Sequence, residues 1–193
     1  MSGPWIVAFV LLSLVVVAVA VLTLGLLRRS AAVLEALEQR GAGGMPAPSG
    51  LAPGTRVPDF AGVDRSGAVV TRDELAYGAR VFLFLTPTCA PCRSLAEELA
   101  RRAPVHLGVP LVVVVQSAPD RDPGLPATID ALVFDPDGTV GRAFDVTGYP
   151  YAMAVDGDGV VTKGAVPGSV SDLRSLADAA ARGGDADRAA ARP

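Results

Sequence analysis

Two uninterrupted apolar runs of strand length, separated by a helical pattern, constrain the fold of this chain more than any other feature. The first run, Arg80 to Thr86, has the sequence RVFLFLT, and the second, Leu111 to Gln116, has the sequence LVVVVQ. Strands that are apolar at nearly every position are typical of a sheet that is covered on both faces. Between them, Pro91 to Ala103 has Leu95 and Leu99 on one face, which predicts an amphipathic helix. The sequence therefore predicts a sheet with helices on both sides.

Shorter elements on either side of these runs complete an α/β pattern. Four further patterns are a polar-apolar hairpin, a short apolar strand, a brief helix and a second hairpin around the turn signature DGDG. An amphipathic helix closes the domain. We predict an α/β fold with a mixed central sheet flanked by helices. The predicted elements are Val57 to about Thr71, Ala131 to Phe134, Gly138 to Phe144, Tyr151 to Val155 with Val160 to Gly164, and Ser171 to Arg182.

The amino-terminal part of the chain contains one long apolar segment, Trp5 to Leu27. A helix of this length, at about 1.5 Å per residue, spans roughly 35 Å, which is enough to cross the core of a bilayer. A cleaved signal peptide, with Ala18-Val19-Ala20 as the cleavage tripeptide, is the competing interpretation. However, no Lys or Arg precedes Trp5, and the apolar run is longer than the typical signal core of about 7–15 residues. We expect a retained transmembrane anchor that contacts the lipid bilayer through residues 5–27.

The anchor and its flanks divide the chain into five predicted parts. These are the anchor at 1–29, a juxtamembrane helix at 30–40, a flexible Gly- and Pro-rich linker at 41–56, the α/β domain at 57–182 and a disordered tail at 183–193. Arg28 and Arg29 follow the apolar run, and nothing basic precedes it. By the positive-inside rule alone, these arginines favour a cytoplasmic domain.

Charge and composition exclude several classes of function. The net charge is −3 and the part of the chain after Arg56 is acidic, so we predict no nucleic-acid binding. With two Cys and one His, the chain cannot supply a four-ligand zinc site from these residue types, and we predict neither a metal nor a cofactor. The acidic pairs Asp135/Asp137 and Asp156/Asp158 lie at turn signals, where backbone geometry explains Asp-Gly. The single histidine, His106, follows the predicted helix and is expected at the surface or in packing.

The two cysteines lie where the first buried strand ends and the following helix begins, in Cys89-Ala90-Pro91-Cys92. Residues three apart on a first helical turn have Cα atoms about 5–6 Å apart, which is within disulfide range. The free N–H groups of the helix start favour the thiolate of Cys89, and Cys92 lies one turn further in. A disulfide in so small a ring adds only roughly 2 kcal/mol of stability in the chain-entropy model. This arrangement favours a nucleophile and a resolving thiol over a structural staple.

Three segments carry a resemblance to a known family: Phe84 to Cys92 (FLTPTCAPC), Gly148 to Ala152 (GYPYA) and Asp156 to Val161 (DGDGVV). With them the chain resembles the thioredoxin-like superfamily, and most closely its membrane-tethered TlpA/MauD-like branch, which includes accessory proteins for methylamine dehydrogenase maturation. The resemblance covers about Thr55 to Ala181 and the anchor.

This resemblance implies a thioredoxin-like fold and a thiol–disulfide oxidoreductase that acts on protein thiol or disulfide clients, with Cys89 and Cys92 as catalytic residues. It implies that Pro150 belongs to a cis-proline loop facing the disulfide, and that Thr88, Tyr149 and Pro150 bind substrate. It also implies an extracytoplasmic domain, and a membrane or extracytoplasmic electron donor or acceptor as partner.

The chain departs from thioredoxins at three positions around the cysteines. Thr88 stands where thioredoxins usually have Trp, a departure that the MauD-like branch shares. Leu83 replaces the buried acid of thioredoxins, and Leu95 stands where the reductases of cytochrome maturation have Glu. The resemblance therefore implies a resolving thiol without a neighbouring carboxylate.

Two other functions remain open at the level of sequence. Thr86-x-x-Cys89 matches the spacing of a peroxiredoxin-type thiol peroxidase, although Phe82 stands where that motif usually begins with Pro, and Arg121 and Arg142 are equivalent candidates for its distant arginine. A non-enzymatic membrane-tethered assembly scaffold would use the cysteines only as a minor staple. A peroxide-dependent sulfenic acid at Cys89 would identify the peroxidase.

Overall fold

The computed structural model of the chain describes residues 9, 11–14, 16, 48–75 and 78–190, the side chains of 184–190 excepted. The chain divides into two compact units, 1–47 and 48–193. In the first unit, residues 9, 11–14 and 16 are helical. Within the described part of the chain, no helix has the length and apolar character needed to cross a membrane. The rest of the predicted anchor, the juxtamembrane helix and residues 41–47 of the linker lie outside the described residues.

The second unit is built on one seven-stranded sheet with the order β2-β1-β5-β4-β3-β6-β7. At its centre, β4 runs parallel to both β3 and β5, whereas β6 is antiparallel to β3, and β7 to β6. The sheet is therefore mixed, as the sequence predicts. The strands are β1 (Ala61–Val63), β2 (Val69–Thr71), β3 (Arg80–Leu85), β4 (Leu111–Val115), β5 (Ala131–Phe134), β6 (Tyr151–Val155) and β7 (Val161–Ala165).

The alternation of side chains along β3 divides the core into two layers. Val81, Leu83 and Leu85 belong to a cluster on one face of the sheet, whereas Phe82 and Phe84 belong to a cluster on the other. Successive strand residues point to opposite faces, so a strand that is apolar throughout must be covered on both sides. Every residue of β3 and of β4 is buried for this reason.

Helices cover both faces of the sheet. The face of Leu83 is packed against α2 (Ala90–Arg101) and α4 (Val170–Ala190), through Leu99 and Leu173 among others. The opposite face contains an aromatic group in which Phe144, at the end of α3 (Thr139–Ala143), lies 5.1 Å from the ring centres of both Phe82 and Phe84. A short helix, α1 (Arg72–Leu75), follows β2, and a 3-10 turn occupies Pro119–Arg121.

The ends of the unit differ from the sequence prediction. Residues 48–56 fall within the predicted flexible linker, yet they pack on the domain. Residues 54–56 bond to the outer edge of the β6–β7 hairpin, and residues 49 and 51 bond to residues 144–147. Gly54 N–H donates to the Val161 carbonyl at 2.8 Å, and Val161 N–H donates to Thr55 at 2.9 Å. A backbone edge supplies these partners, which the Gly- and Pro-rich composition does not reveal. At the other end, α4 continues to Ala190, past the predicted end at Arg182.

Candidate functional site

The cysteine pair follows the carboxyl end of β3, so it lies at one end of the strands of the sheet. After Leu85 the chain turns, and the Cys89 N–H donates to the Thr86 carbonyl at 3.3 Å. Cys89 is the N-cap residue of α2, with extended backbone angles (φ −89°, ψ 122°), and Pro91 occupies the first turn of the helix, where it needs no N–H partner. The Cys92 N–H points at the Cys89 sulfur, 3.2 Å away, so a helix-start amide stabilises negative charge on that sulfur.

Cys89 and Cys92 form a disulfide, with Cα atoms 5.2 Å apart, as the spacing on a first helical turn predicts. The two sulfurs differ in access: Cys89 is half-buried, whereas only 2% of Cys92 is exposed. A thiol or thiolate from another molecule therefore reaches Cys89 first. This difference suits an attacking cysteine at position 89 and a resolving cysteine at position 92.

The loop before β6 faces the disulfide. The Tyr149–Pro150 peptide bond is cis, and the Tyr149 carbonyl oxygen lies 3.4 Å from Cys89 Sγ. The pairing of Phe84 in β3 with Tyr151 in β6 places this loop beside the cysteines. The structure thus brings together four of the five predicted site residues, and the fifth, Thr88, is the exposed neighbour of Cys89. Their roles in catalysis and substrate binding remain predictions.

A polar contact under Tyr149 was missed by the sequence reasoning. Asp135, only 2% exposed, accepts hydrogen bonds from Gly141 N–H at 2.9 Å and Thr139 Oγ1 at 3.1 Å. Burial raises the pKa of Tyr149, and the charge of Asp135 raises it further, whereas Arg142 opposes the shift. The Asp-Pro-Asp-Gly sequence at 135–138 signalled a turn, and nothing local distinguished a carboxylate that turns inward.

The two positions at which the resemblance leads one to expect an acid are occupied by apolar, buried side chains. Leu83 and Leu95 are 0% and 1% exposed and belong to the same core cluster as Cys92. Among the described residues, the buried charged side chains are Arg80, Asp135 and Asp156. Arg80 begins β3 and Asp156 follows β6. Both residues therefore lie at the end of the strands opposite the cysteines. His106 is exposed and precedes β4, so it also lies at the end of the strands away from the cysteines.

A polar groove of about 380 Å³ lies beside the cysteine pair at the carboxyl ends of β3, β4 and β5. The Arg65 guanidinium fixes the loop that forms its outer wall, through Asp122 Oδ2 at 2.7 Å and the Leu125 carbonyl. Burial raises the pKa of Asp122, but hydrogen bonds from Arg65 and from backbone amides outweigh it and lower the pKa overall. The groove is lined by Thr86, Pro87, Thr88, Gln116, Ser117, Ala118, Asp120, Arg121 and Pro136.

The groove distinguishes Arg121 from Arg142, the two equivalent candidates for the distant arginine of the peroxidase motif. Arg121 lines it together with Thr86. Arg142 instead donates to the Asp137 carbonyl at 2.8 Å, in the turn before α3. Phe82, at the position where the peroxidase motif begins with Pro, is a core residue with 1% exposure.

Solved structures show what this arrangement resembles, whereas no protein-family model and no curated protein matches the sequence. A putative thiol:disulfide interchange protein DsbE from Chlorobium tepidum matches 67% of this chain and 95% of its own, at 24% identity and a TM-score of 0.54. DsbF from MTB, solved in mixed oxidised and reduced forms, matches 63% of this chain and 95% of its own, at 23% identity and 0.54.

A third similar structure is the thioredoxin domain of a thiol-disulfide oxidoreductase from Bacteroides vulgatus. It matches 66% of this chain and 96% of its own, at 19% identity and a TM-score of 0.52. Together these likenesses show that the chain has the thioredoxin-like fold, in agreement with the resemblance of its motifs.

Proposed function

We propose that this chain is a thiol–disulfide oxidoreductase that exchanges its Cys89–Cys92 disulfide with the thiols or disulfides of protein clients. One observation carries the proposal: a half-buried sulfur at a helix start, bonded to a buried sulfur one turn later, lies 3.4 Å from the carbonyl of a cis-proline loop. The similarity to thiol:disulfide interchange proteins supports it. Thr88, Tyr149 and Pro150 are the residues that we assign to client binding.

The proposed exchange has two steps, both at sulfur. In the reducing direction, the Cys89 thiolate attacks a client disulfide, forms a mixed disulfide and releases the first client sulfur as a thiolate. The Cys92 thiol then attacks Cys89 Sγ, the mixed disulfide breaks, and the second client sulfur leaves with the proton that Cys92 gives up. The client gains two electrons and one proton from the pair, its first thiolate takes a second proton from solvent, and the pair becomes the disulfide of the structure. In the oxidising direction every step is reversed.

The reduction potential of the pair decides the direction. A potential of about −270 mV is typical of thioredoxin, a reductase, and about −120 mV is typical of a disulfide donor. We expect the Cys89–Cys92 pair of the full-length chain to equilibrate with a thiol buffer whose potential lies between these two values. If the Cys89–Cys92 disulfide forms at no buffer potential, the proposed function is wrong.

Single-cysteine variants test the assigned order of attack. Cys92→Ser should accumulate a mixed disulfide with a client peptide through Cys89, because the resolving thiol is missing. Cys89→Ser should form none, because Cys92 is buried. Mass spectrometry of the trapped species distinguishes the two. If Cys92 is instead the residue that captures the peptide, the order is reversed and the assignment fails.

The same proteins distinguish the two alternative functions. A peroxidase forms a sulfenic acid at Cys89 when peroxide is added, and Arg121→Lys would then slow the reaction because Arg121 lines the groove with Thr86. A scaffold keeps its full function in the Cys89→Ser/Cys92→Ser double variant. Either result would replace the oxidoreductase as the proposed function.

We also propose that residues 5–27 anchor the chain in a membrane, with the domain outside the cytoplasm and an exported protein as client. The 23-residue apolar run supports the anchor, and the resemblance to the TlpA/MauD-like branch supports the side of the membrane. The electron donor or acceptor is then a membrane or extracytoplasmic protein. Resistance to alkaline extraction tests the anchor, and protease added to intact cells tests the side. Release by alkali, or protection of the domain from protease, contradicts the respective proposal.

A further inference from the structure

The segment that enters the domain, residues 48–51, contacts the loop that leads to the cis-proline. We call residues 48–51 the N-terminal strap and residues 145–148 the entry loop. Thr147 N–H donates to the Ser49 carbonyl at 2.9 Å, and Ser49 N–H donates to Thr147 Oγ1 at 2.9 Å. The two hydroxyl groups, Ser49 Oγ and Thr147 Oγ1, lie 3.1 Å apart. Leu51 N–H adds a bond to the Phe144 carbonyl at 3.0 Å, just before the entry loop.

Two glycines allow the strap to lie against the residues around the cis peptide bond. A Cβ on Gly148 would lie 2.9 Å from Pro48 Cγ, and a Cβ on Gly50 would lie 2.6 Å from Tyr151 Cε1. Contacts this close exclude a side chain at either position without movement of a neighbour. The strap therefore packs on both sides of the Tyr149–Pro150 pair, at Gly148 before it and at Tyr151 after it.

The entry loop itself has few other backbone bonds. It lies between α3 and β6 and contains neither helix nor strand. The Asp145 N–H donates to the Arg142 carbonyl at 3.0 Å and the Val146 N–H to the Gly141 carbonyl at 2.9 Å, whereas the Thr147 N–H donates to the strap. The next residue but one is Tyr149, whose carbonyl oxygen lies 3.4 Å from Cys89 Sγ. The hydrogen bonds of Ser49 therefore end two residues from the group that faces the reactive sulfur.

We propose that the N-terminal strap is a positioning element for disulfide exchange at Cys89. Ser49 and Thr147 hold the entry loop, and through it they keep the Tyr149 carbonyl and Pro150 in the conformation that a client peptide meets. The inference rests on the proposed function, because it assigns the strap a role in that reaction. It makes Ser49 and Thr147 positioning residues, since neither touches the sulfurs.

The test compares two Thr→Val substitutions in the full-length chain. Thr147→Val keeps the shape of the side chain but removes the acceptor of the Ser49 N–H. Thr162→Val is the matched control, because Thr162 Oγ1 donates to the Ala154 carbonyl at 3.3 Å near the start of β7, at the end of the hairpin away from the cysteines. Three quantities are measured for each protein: amide hydrogen exchange of residues 145–151, kcat/KM for a disulfide-bonded peptide, and the rate of reaction with a small aromatic disulfide.

We expect Thr147→Val to speed amide exchange in the entry loop by about two- to tenfold, the factor that one net hydrogen bond contributes to an equilibrium. We expect kcat/KM for the peptide to fall by a similar factor, because the peptide must order the loop that it docks on. The rate with the small reagent should change by less than about twofold, because that reagent needs only the sulfur. Thr162→Val should leave all three quantities at their wild-type values.

The outcomes separate this inference from the proposed function. If the wild-type chain reacts with the peptide but Thr147→Val behaves like Thr162→Val, the positioning role is refuted and the oxidoreductase stands. An equal loss with the peptide and the small reagent also refutes it, since a general structural effect then explains the loss. If the wild-type chain does not react with the peptide at all, the proposed function fails first. Should Thr147→Val fold poorly, Ser49→Ala removes the hydroxyl contact and leaves both bonds to the Ser49 backbone. It should then produce a smaller shift in entry-loop exchange and in kcat/KM for the peptide, and no shift in either refutes the positioning role.

Discussion

Gly141 lies under the phenol of Tyr149, and this contact allows a quantitative test of how the cis-proline loop is held. A Cβ on Gly141 would lie 2.8 Å from Tyr149 Oη, but 3.7 Å from Asp135 Oδ2 and 4.0 Å from Tyr149 Cζ. Only the contact with the hydroxyl oxygen is too close. Tyr149 packs against both core clusters, so its ring has little room to swing away. Overpacking of this kind costs about 1–3 kcal/mol. The higher helix propensity of Ala offsets about 1 kcal/mol of this cost, so we expect Gly141→Ala to lower the free energy of unfolding by up to about 2 kcal/mol.

Removal of the hydroxyl should relieve the cost. In a Tyr149→Phe background the new methyl group of Gly141→Ala has only ordinary van der Waals neighbours. Ala also has a higher helix propensity than Gly, by about 1 kcal/mol, and position 141 lies within α3 without a positive φ. We therefore expect Gly141→Ala to stabilise the Phe background, by up to about 1 kcal/mol. The interaction energy between the two substitutions should then be at least about 1 kcal/mol.

The assay is urea unfolding of four oxidised proteins: the wild-type chain, the two single variants and the double variant. Linear extrapolation gives the free energy of unfolding in water, and equal slopes show that the denatured states are comparable. If the two substitutions add to within about 0.5 kcal/mol, the steric argument is refuted. In that case the Tyr149 ring moves freely, and Gly141 is not required for its position.

Three further predictions concern the core and the two shifted pKa values. Phe144→Ala should lower the free energy of unfolding by about 3–5 kcal/mol, because the ring is fully buried among Phe60, Phe82 and Phe84; a loss below about 1 kcal/mol would contradict the packing described. The pKa of Asp122 is lowered below 3.8, so the ionised side chain stabilises the fold above that pH and this effect is lost as the pH falls. Acid unfolding of the wild-type chain should therefore be steeper than that of Asp122→Asn. Equal slopes would exclude the Arg65 contact as the cause. Burial raises the pKa of Tyr149 above 10.0, so the unfolded chain loses the phenol proton at a lower pH than the folded chain. The free energy of unfolding should therefore fall as the pH rises past 10.0. Tyr149→Phe should remove part of that fall, measured by urea unfolding at about pH 9 and about pH 11.

Much of the fold could be predicted because its strongest signals are local. The runs at β3 and β4 are apolar at nearly every position, and only the interior of a covered sheet accommodates such strands. The DGDG turn between β6 and β7 forms as predicted, with Asp156 Oδ1 accepting from the N–H groups of Asp158 and Val160 at 2.9 Å. Strand bounds agree to within a residue or two for these elements.

The contacts that the sequence does not predict are those between residues that are far apart in sequence. The i,i+4 spacing of Glu98 and Arg102 predicts an ion pair on a solvated helix face, and the ion pair is present at 3.0 Å. However, the Glu98 side chain is only 17% exposed, and its second oxygen accepts the Val170 N–H at 3.3 Å, where α4 begins. A heptad or i,i+4 pattern shows the neighbours on one helix, but not the second helix that covers it.

The sequence by itself determined the position of the cysteine pair at a strand–helix junction and the spacing that allows its disulfide. A buried strand, a turn and a helix with Pro91 in its first turn place Cys89 at the helix start and Cys92 one turn later, because sterics and short-range hydrogen bonds act within a few residues. The resemblance of the motifs added the cis-proline loop.

Only the tertiary structure decided what surrounds that pair. Tyr149 reaches Cys89 across 60 residues, and Ser49 reaches Thr147 across 98. These contacts exist because β6 pairs with β3 and because residues 54–56 of the entering chain bond to the edge of the β6–β7 hairpin, which holds the preceding residues against the domain. The order of strands in a sheet is set by the burial of the whole core, and no short stretch of sequence contains that information.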